Sequence, residues 1–228
     1  FDLVALAVTA HRGRHLPAGD GLKPAMDRAA ARPAPSRSAP EQAAHIWWLT
    51  AIAILALVPP TLVALTLDGR TFNGLPIWTK PLKFQLSLAL HLATLAVLTR
   101  LVLDPRTGRW LVGIGWAAAA MALLEIGYNP LQAGRGRASH FNRETPLEAV
   151  LYSLMGIGAV ILILAAAVVG YLALRRPRPG VGPGLRWGTG VGLLVGFLLT
   201  FWVAGYLGDQ PGHAVGGDAT DATGLPLL

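Results

Sequence analysis

Ionisable side chains are scarce in this chain, and several recur at helical spacing inside apolar runs. Charge is expensive to hold there and marks a function by default. Lys80, Lys83, Ser87, His91 and Thr94 follow one another at intervals of three or four residues, which sets them along one arc of a helix. Glu125, Tyr128, Asn129 and Gln132 recur at i, i+3, i+4 and i+7, and Glu148 and Tyr152 stand one turn apart. Pro130 is expected to end or bend the second of these helices, which loosens Gln132 from its stripe. By depth, Lys83 is expected to pair with Glu125, with Ser87 and His91 beneath them and Asn129 alongside. An amine, an acid, an imidazole and an amide placed so can line a polar ligand pocket. The same groups can instead satisfy one another and hold two membrane helices in register.

His91 has a second reading. Ser87, His91 and Leu95 stand one turn apart, a small residue, an imidazole and a leucine, which is similar to the chlorophyll-ligating pattern of light-harvesting helices. A tetrapyrrole at His91 is therefore an alternative to a hydrogen-bonded histidine. In the polar connections, Ser139-His140-Phe141-Asn142 and Gly212-His213 each supply one histidine, and Asp209, Asp218 and Asp221 add carboxylates. Two histidines with carboxylates could bind Zn²⁺ or a similar ion. No HxxxH, HExxH or CxxC spacing accompanies them, and turn and cap roles explain the same residues. Gly113-Ile114-Gly115-Trp116-Ala117-Ala118 matches a dinucleotide fingerprint in outline, but it opens an apolar run with no strand before it.

The elements that must position these groups are set by composition. Of the 228 residues, 53% are hydrophobic and 14% charged, and the mean hydropathy is +0.50. A soluble domain carries about 25% charged residues, so a freely soluble enzyme is excluded. Cysteine is absent, which removes disulfides, thiolate metal sites and a cysteine nucleophile. Five apolar stretches approach or exceed the ~20 residues that a bilayer crossing takes, at about 45–67, 82–103, 110–128, 149–174 and 187–207. Backbone groups in lipid need internal partners, so an all-α polytopic transmembrane bundle of five spans follows. Pro59-Pro60 should kink or break the first span. Residues 1–44 read as a flexible, basic Ala/Pro/Arg-rich tail, of which 1–25 look like an extension, and 208–228 as a Gly/Asp-rich tail.

The net charge of +7 falls unevenly. Basic residues crowd the N-terminal tail and the connections that hold Arg100, Arg106 and Arg109, and Arg175, Arg176, Arg178 and Arg186. By the positive-inside rule the N-terminus is cytoplasmic, and the basic balance is a topology signal with no nucleic-acid partner implied. Asp68–Pro81, Asn129–Pro146 and the tail after Gly208 then share the outer face. Trp47, Trp48, Trp110 and Trp187 fall at the cytoplasmic span ends, and Trp78 near an outer one, as interface anchors do. On the fifth span Gly188, Gly192, Gly196, Thr200 and Ala204 repeat every four residues, a ridge on which another backbone can pack closely. Packing inside the same bundle is expected, with a homodimer or another membrane subunit as the alternative.

Lys80-Pro81-Leu82-Lys83-Phe84, Gln132-Ala133 with Arg135-Gly136 and Ser139-His140-Phe141-Asn142, and Gly212-His213 with Gly216-Gly217 lie between or beyond the spans. In these segments the chain resembles an uncharacterised family of bacterial multi-pass inner-membrane proteins, from about His45 onward. The resemblance implies the topology, outer-face residues and further helices beyond Leu228, and it supplies no reaction. The expected function is a non-enzymatic binding component or a subunit of a larger respiratory or photosynthetic membrane complex. Its outer-facing pocket would be lined by Lys83, Ser87, His91, Glu125 and Asn129, with His140, Asn142 and His213 above. A membrane-embedded metal- or tetrapyrrole-binding redox protein or enzyme is the alternative.

Overall fold

The computed structural model describes residues 37–72 and 74–208. His213, Asp209, Asp218, Asp221 and the tail up to residue 36 lie outside the described residues. Among the described residues six helices carry the fold: α1 Ala39–Leu55, α2 Val58–Leu67, α3 Thr79–Val102, α4 Trp110–Gly134, α5 Pro146–Arg175 and α6 Pro183–Gly208. With α1 and α2 taken together, they make five helical segments long and apolar enough to cross a membrane. Between α2 and α3 a short antiparallel hairpin pairs β1 (Thr71–Phe72) with β2 (Leu75–Pro76), and Gly74 takes a positive φ of 76° in its turn.

The double proline breaks the first span as its chemistry requires. Prolines 59 and 60 have no N–H to donate into the preceding turn, and helix α1 ends at Leu55 while α2 restarts at Val58. At its other end α1 begins at Ala39, six residues ahead of the expected His45, because the Ser38 N–H is taken by the Glu41 carboxylate at 2.9 Å. Helix α4 also outruns expectation. It continues through Pro130 to Gly134, which keeps Gln132 on the same stripe as Glu125 and Asn129.

Helix α1 lies mainly against α3 and α4, and α5 lies between α4 and α6. Small residues set these distances. Ala43, Ala44, Trp47, Ala51 and Ile54 form the buried face of α1, and a Cβ at Gly115 of α4 would lie 3.3 Å from the Ala43 Cα. In lipid such contacts hold helices together by close packing, since acyl chains offer as apolar a surface as leucine. Trp47 is wholly buried in this face, which corrects its expected role as an interface anchor, whereas Trp110 and Trp187 are more than half exposed.

The ridge on α6 also does not pack as expected. Gly188, Gly192, Gly196, Thr200 and Ala204 are all exposed, and a Cβ on any of the three glycines would meet nothing within 4 Å. The face that docks lies one residue round, at Thr189 and Gly190. A Cβ at Gly170 of α5 would reach within 2.9 Å of the Leu193 Cβ and 3.0 Å of the Gly190 carbonyl. With α5 as its principal neighbour, α6 buries one narrow strip, and the leucine-bearing side takes it.

Two sets of hydrogen bonds fix which connections share an end. Arg70 of the first connection donates to the Gly134 carbonyl at the close of α4. At the opposite end, Asp104 N–H donates to the Arg176 carbonyl and Arg178 N–H to that of Val102. One end thus carries the hairpin and the Arg135–Thr145 connection, and is called the loop end below. The other, the arginine end, carries the 103–109 and 176–182 connections.

Candidate functional site

The loop-end site is built on the last turn of α4 and the connection that follows. Gly136 takes φ 71°, the Arg137 N–H reaches the Gln132 carbonyl, and the Gly136 N–H reaches that of Ala133. These are the two bonds of a Schellman cap, which needs a residue free to enter the left-handed region. The cap turns the chain back over the helix end. Gln132 Nε2 then donates to the Ala138 carbonyl at 3.0 Å and to the Tyr128 hydroxyl at 3.2 Å, and Asn142 Nδ2 also donates to Ala138. Phe141 sits at φ 58°, rare for a residue with a side chain, with its ring 5.3 Å from that of Tyr152.

Helix α5 begins under its own cap. Thr145 Oγ accepts the Glu148 N–H at 3.2 Å and donates to the Glu148 carboxylate at 3.0 Å. Glu148, buried near the positive end of its helix, also faces Arg137 at 2.9 Å and Arg135 at 3.9 Å. Arg137 pairs as well with exposed Glu144. Its guanidinium is pushed above its ordinary range first by that hydrogen bond.

Beneath this ion-pair layer a chain of hydrogen bonds runs through Glu125, Asn129, Ser139 and His140. Asn129 Nδ2 donates to its own helix at the Glu125 carbonyl, 3.1 Å, and to the Glu125 carboxylate, 3.3 Å. Because a carbonyl can only accept, the amide orientation is settled and Oδ1 must point the other way. There it accepts the Ser139 hydroxyl at 2.7 Å. Having spent its only proton, the Ser139 oxygen accepts from His140 Nδ1 at 3.2 Å. The other imidazole nitrogen, Nε2, lies 3.9 Å from the Glu125 carboxylate. A neutral His140 with its proton on Nδ1 turns a lone pair toward a carboxylate. Phe84 and Tyr152 flank the imidazole, with ring centroids 5.3 and 6.3 Å away.

Of the expected pocket residues, Glu125, Asn129, His140 and Asn142 come together. Lys83 and Ser87 do not. Both are exposed, and Ser87 Oγ turns back to the Phe84 carbonyl. Lys80, one turn earlier, is half-buried instead and lies over the Phe84 ring at 5.7 Å. The reason is rotational. At ~100° per residue Lys83 stands opposite the buried face through Gln85, Leu92 and Thr99, while Lys80 sits some 60° nearer to it. His91 leaves the group as well, since its Nε2 lies 3.4 Å from the Leu162 carbonyl of α5. That contact occupies a nitrogen through which a macrocycle's metal could be bound.

Three polar groups were not among the expected lining residues. Ser139 links Asn129 to His140 and Glu148 anchors the arginines; both sit in stretches whose polar spacing was already conspicuous. Gln85 gave no signal beyond an amide in an apolar run, yet it is buried and donates to Thr61 Oγ on α2 at 2.8 Å. Among the described residues no three of His, Cys, Asp and Glu converge as a metal site would need.

In the first connection, Arg70 and the Trp78 indole N–H both donate to the Asp68 carboxylate. Arg70 first and Trp78 second hold its carboxyl far below the usual range. No protein-family model, curated protein or solved structure matches this chain.

Proposed function

We propose that this protein is a non-enzymatic, multi-pass component of a bacterial inner membrane that holds a small polar ligand at its loop end. The arginine bias supports an outward-facing loop end and a cytoplasmic N-terminus. The observation that carries the reading is the cluster of buried Glu125, Asn129 and Ser139 with half-buried His140, whose Nε2 lies 3.9 Å from the Glu125 carboxylate. Lys80 adds a cation, and Phe84 and Tyr152 add apolar walls. A carboxylate, an imidazole and an ammonium suit a small molecule with both donor and acceptor groups, bound by exchange of hydrogen bonds. The bare ridge of α6 supports membership of a larger membrane assembly, through a neighbour packed on Gly188, Gly192 and Gly196.

The test is what leaves the membrane with the protein. After extraction from its native membrane, mass spectrometry of the released small molecules should find one polar compound at about one per chain. Glu125→Gln and His140→Gln should each lower its retention by about tenfold, the equivalent of one hydrogen bond to a charged group. Glu144→Gln should leave it unchanged. Equal retention in all three variants overturns the site. A chlorophyll or haem absorption band, or a stoichiometric metal, would place the protein in the redox or pigment class instead.

A further inference from the structure

A cavity of about 410 Å³ opens at the arginine end, away from the site just described. It is lined by Asp104, Arg106, Thr107, Arg175, Arg176 and Pro177. Its size falls within the ~300–1,000 Å³ range of ligand sites. From sequence these two connections read as plain basic turns, but they are built into one unit. Leu103 and Pro177 form an antiparallel bridge, Asp104 N–H donates to the Arg176 carbonyl at 3.1 Å, and Arg178 N–H to that of Val102 at 2.6 Å. Thr107 is buried and its hydroxyl donates to the Asp104 carbonyl at 2.7 Å, which holds the turn under the cavity.

Charge in the cavity is unbalanced. Three arginines and one aspartate line it, Asp104 Oδ1 already accepts the Arg106 backbone N–H at 2.8 Å, and the Arg175 guanidinium lies over the Tyr171 ring at the cavity's edge, 5.9 Å from its centroid. Among the described residues, Arg106, Arg175 and Arg176 enter none of the ion pairs, which all involve other basic residues. Helix dipole alone does not account for the set. Arg175 and Arg176 can answer the carbonyl end of α5, but Arg106 belongs to the connection that leads into the amide end of α4.

Depth selects the source of the anion. Trp110, which begins α4, and Trp187, near the start of α6, are both more than half exposed and lie at this same end. Such tryptophans mark the headgroup level of a bilayer. We infer that this cavity binds the phosphate of an anionic phospholipid, with Arg106, Arg175 and Arg176 as its donors. Arginine's planar fork matches phosphate oxygens two at a time, and basic pockets between membrane helices on the positive side take anionic headgroups in this way.

The full chain in nanodiscs of mixed phosphatidylglycerol and phosphatidylcholine supplies the test, with retained lipid read by native mass spectrometry. Phosphatidylglycerol should be enriched on the wild type, and the Arg106→Gln/Arg176→Gln double variant should lower that enrichment about tenfold. The Arg106→Lys/Arg176→Lys variant controls for folding. It keeps the charge and should retain part of the enrichment. Lys83→Gln, at the other end of the bundle, should leave it intact. Enrichment that inorganic phosphate at millimolar concentration abolishes would show a site for a soluble anion and overturn the lipid assignment. No enrichment on the wild type, or equal enrichment on wild type and the double glutamine variant, would overturn the site itself.

Discussion

The two ends of the bundle treat charge in opposite ways. At the loop end Glu125 and Glu148 are buried, and each is met by named partners: Asn129 for one, Thr145, Arg135 and Arg137 for the other. At the arginine end Arg106, Arg175 and Arg176 stand exposed around a single carboxylate. Buried charge must be satisfied by side chains at fixed positions, so the loop end is specified residue by residue. Exposed charge at a membrane surface orients the chain through its sum. A substitution should therefore be felt locally at the loop end and collectively at the arginine end.

The largest expected effect that would break this contrast is at Glu125. Glu125→Leu removes the buried carboxylate that accepts from Asn129 Nδ2 and faces His140 Nε2, leaving Asn129 only the backbone carbonyl of residue 125. It should cost about 2 kcal/mol of stability in detergent unfolding, whereas Glu144→Leu, on an exposed carboxylate, should stay within about 0.5 kcal/mol. Equal losses would mean the cluster is ordinary surface. Thr145→Ala removes the cap of α5, with a loss of about 1 kcal/mol expected in the same unfolding assay. Gly136→Ala forces a side chain into the left-handed region at the Schellman turn, for about 1 kcal/mol. Its loss should be accompanied by faster hydrogen exchange across 137–142. At the other end, Arg175→Gln with Arg176→Gln should shift stability by less than about 0.5 kcal/mol. Any larger loss would show that this end, too, depends on individual pairs.

The smallest effect concerns pH. Asp68 has an ordinary value of 3.8, and Arg70 with Trp78 holds it lower in the folded protein. A depressed carboxylate contributes stability that is fully present above about pH 4 and fades as pH falls toward the folded value. Asp68→Asn should flatten the acid limb of a stability profile below about pH 4 and lower stability at neutral pH, where the charged carboxylate's contribution is fully present. A profile that keeps its acid limb in the variant assigns the limb to other carboxylates.

Spans, the break at the double proline and the stripe through Glu125 and Asn129 were legible because lipid leaves the backbone few options and the helical period is fixed. What was not legible is azimuth. Lys80 and Lys83 share a turn, and nothing in their spacing tells which faces the bundle; the neighbours of Gln85 and Leu92 decide that. That the ridge on α6 does not pack inside the bundle was not legible for a related reason. Small residues permit close approach, but whether a helix has two neighbours or one is a property of the whole arrangement. The Ser139–His140 partnership depends on the Schellman turn, where Gly136 was visible and the direction of the returning chain was not.

The gap between Leu55 and Val58 has a mechanical consequence. Ten residues of α2 extend about 15 Å beyond the joint, so tilting by ~10° sweeps the hairpin through roughly 2.5 Å. Continuity of the rod does not resist that swing. Three tethers do, Gln85 to Thr61 along the shaft, and Trp78 to Asp68 and Arg70 to the Gly134 carbonyl at the tip, which makes a glutamine in the second span one brake on the first.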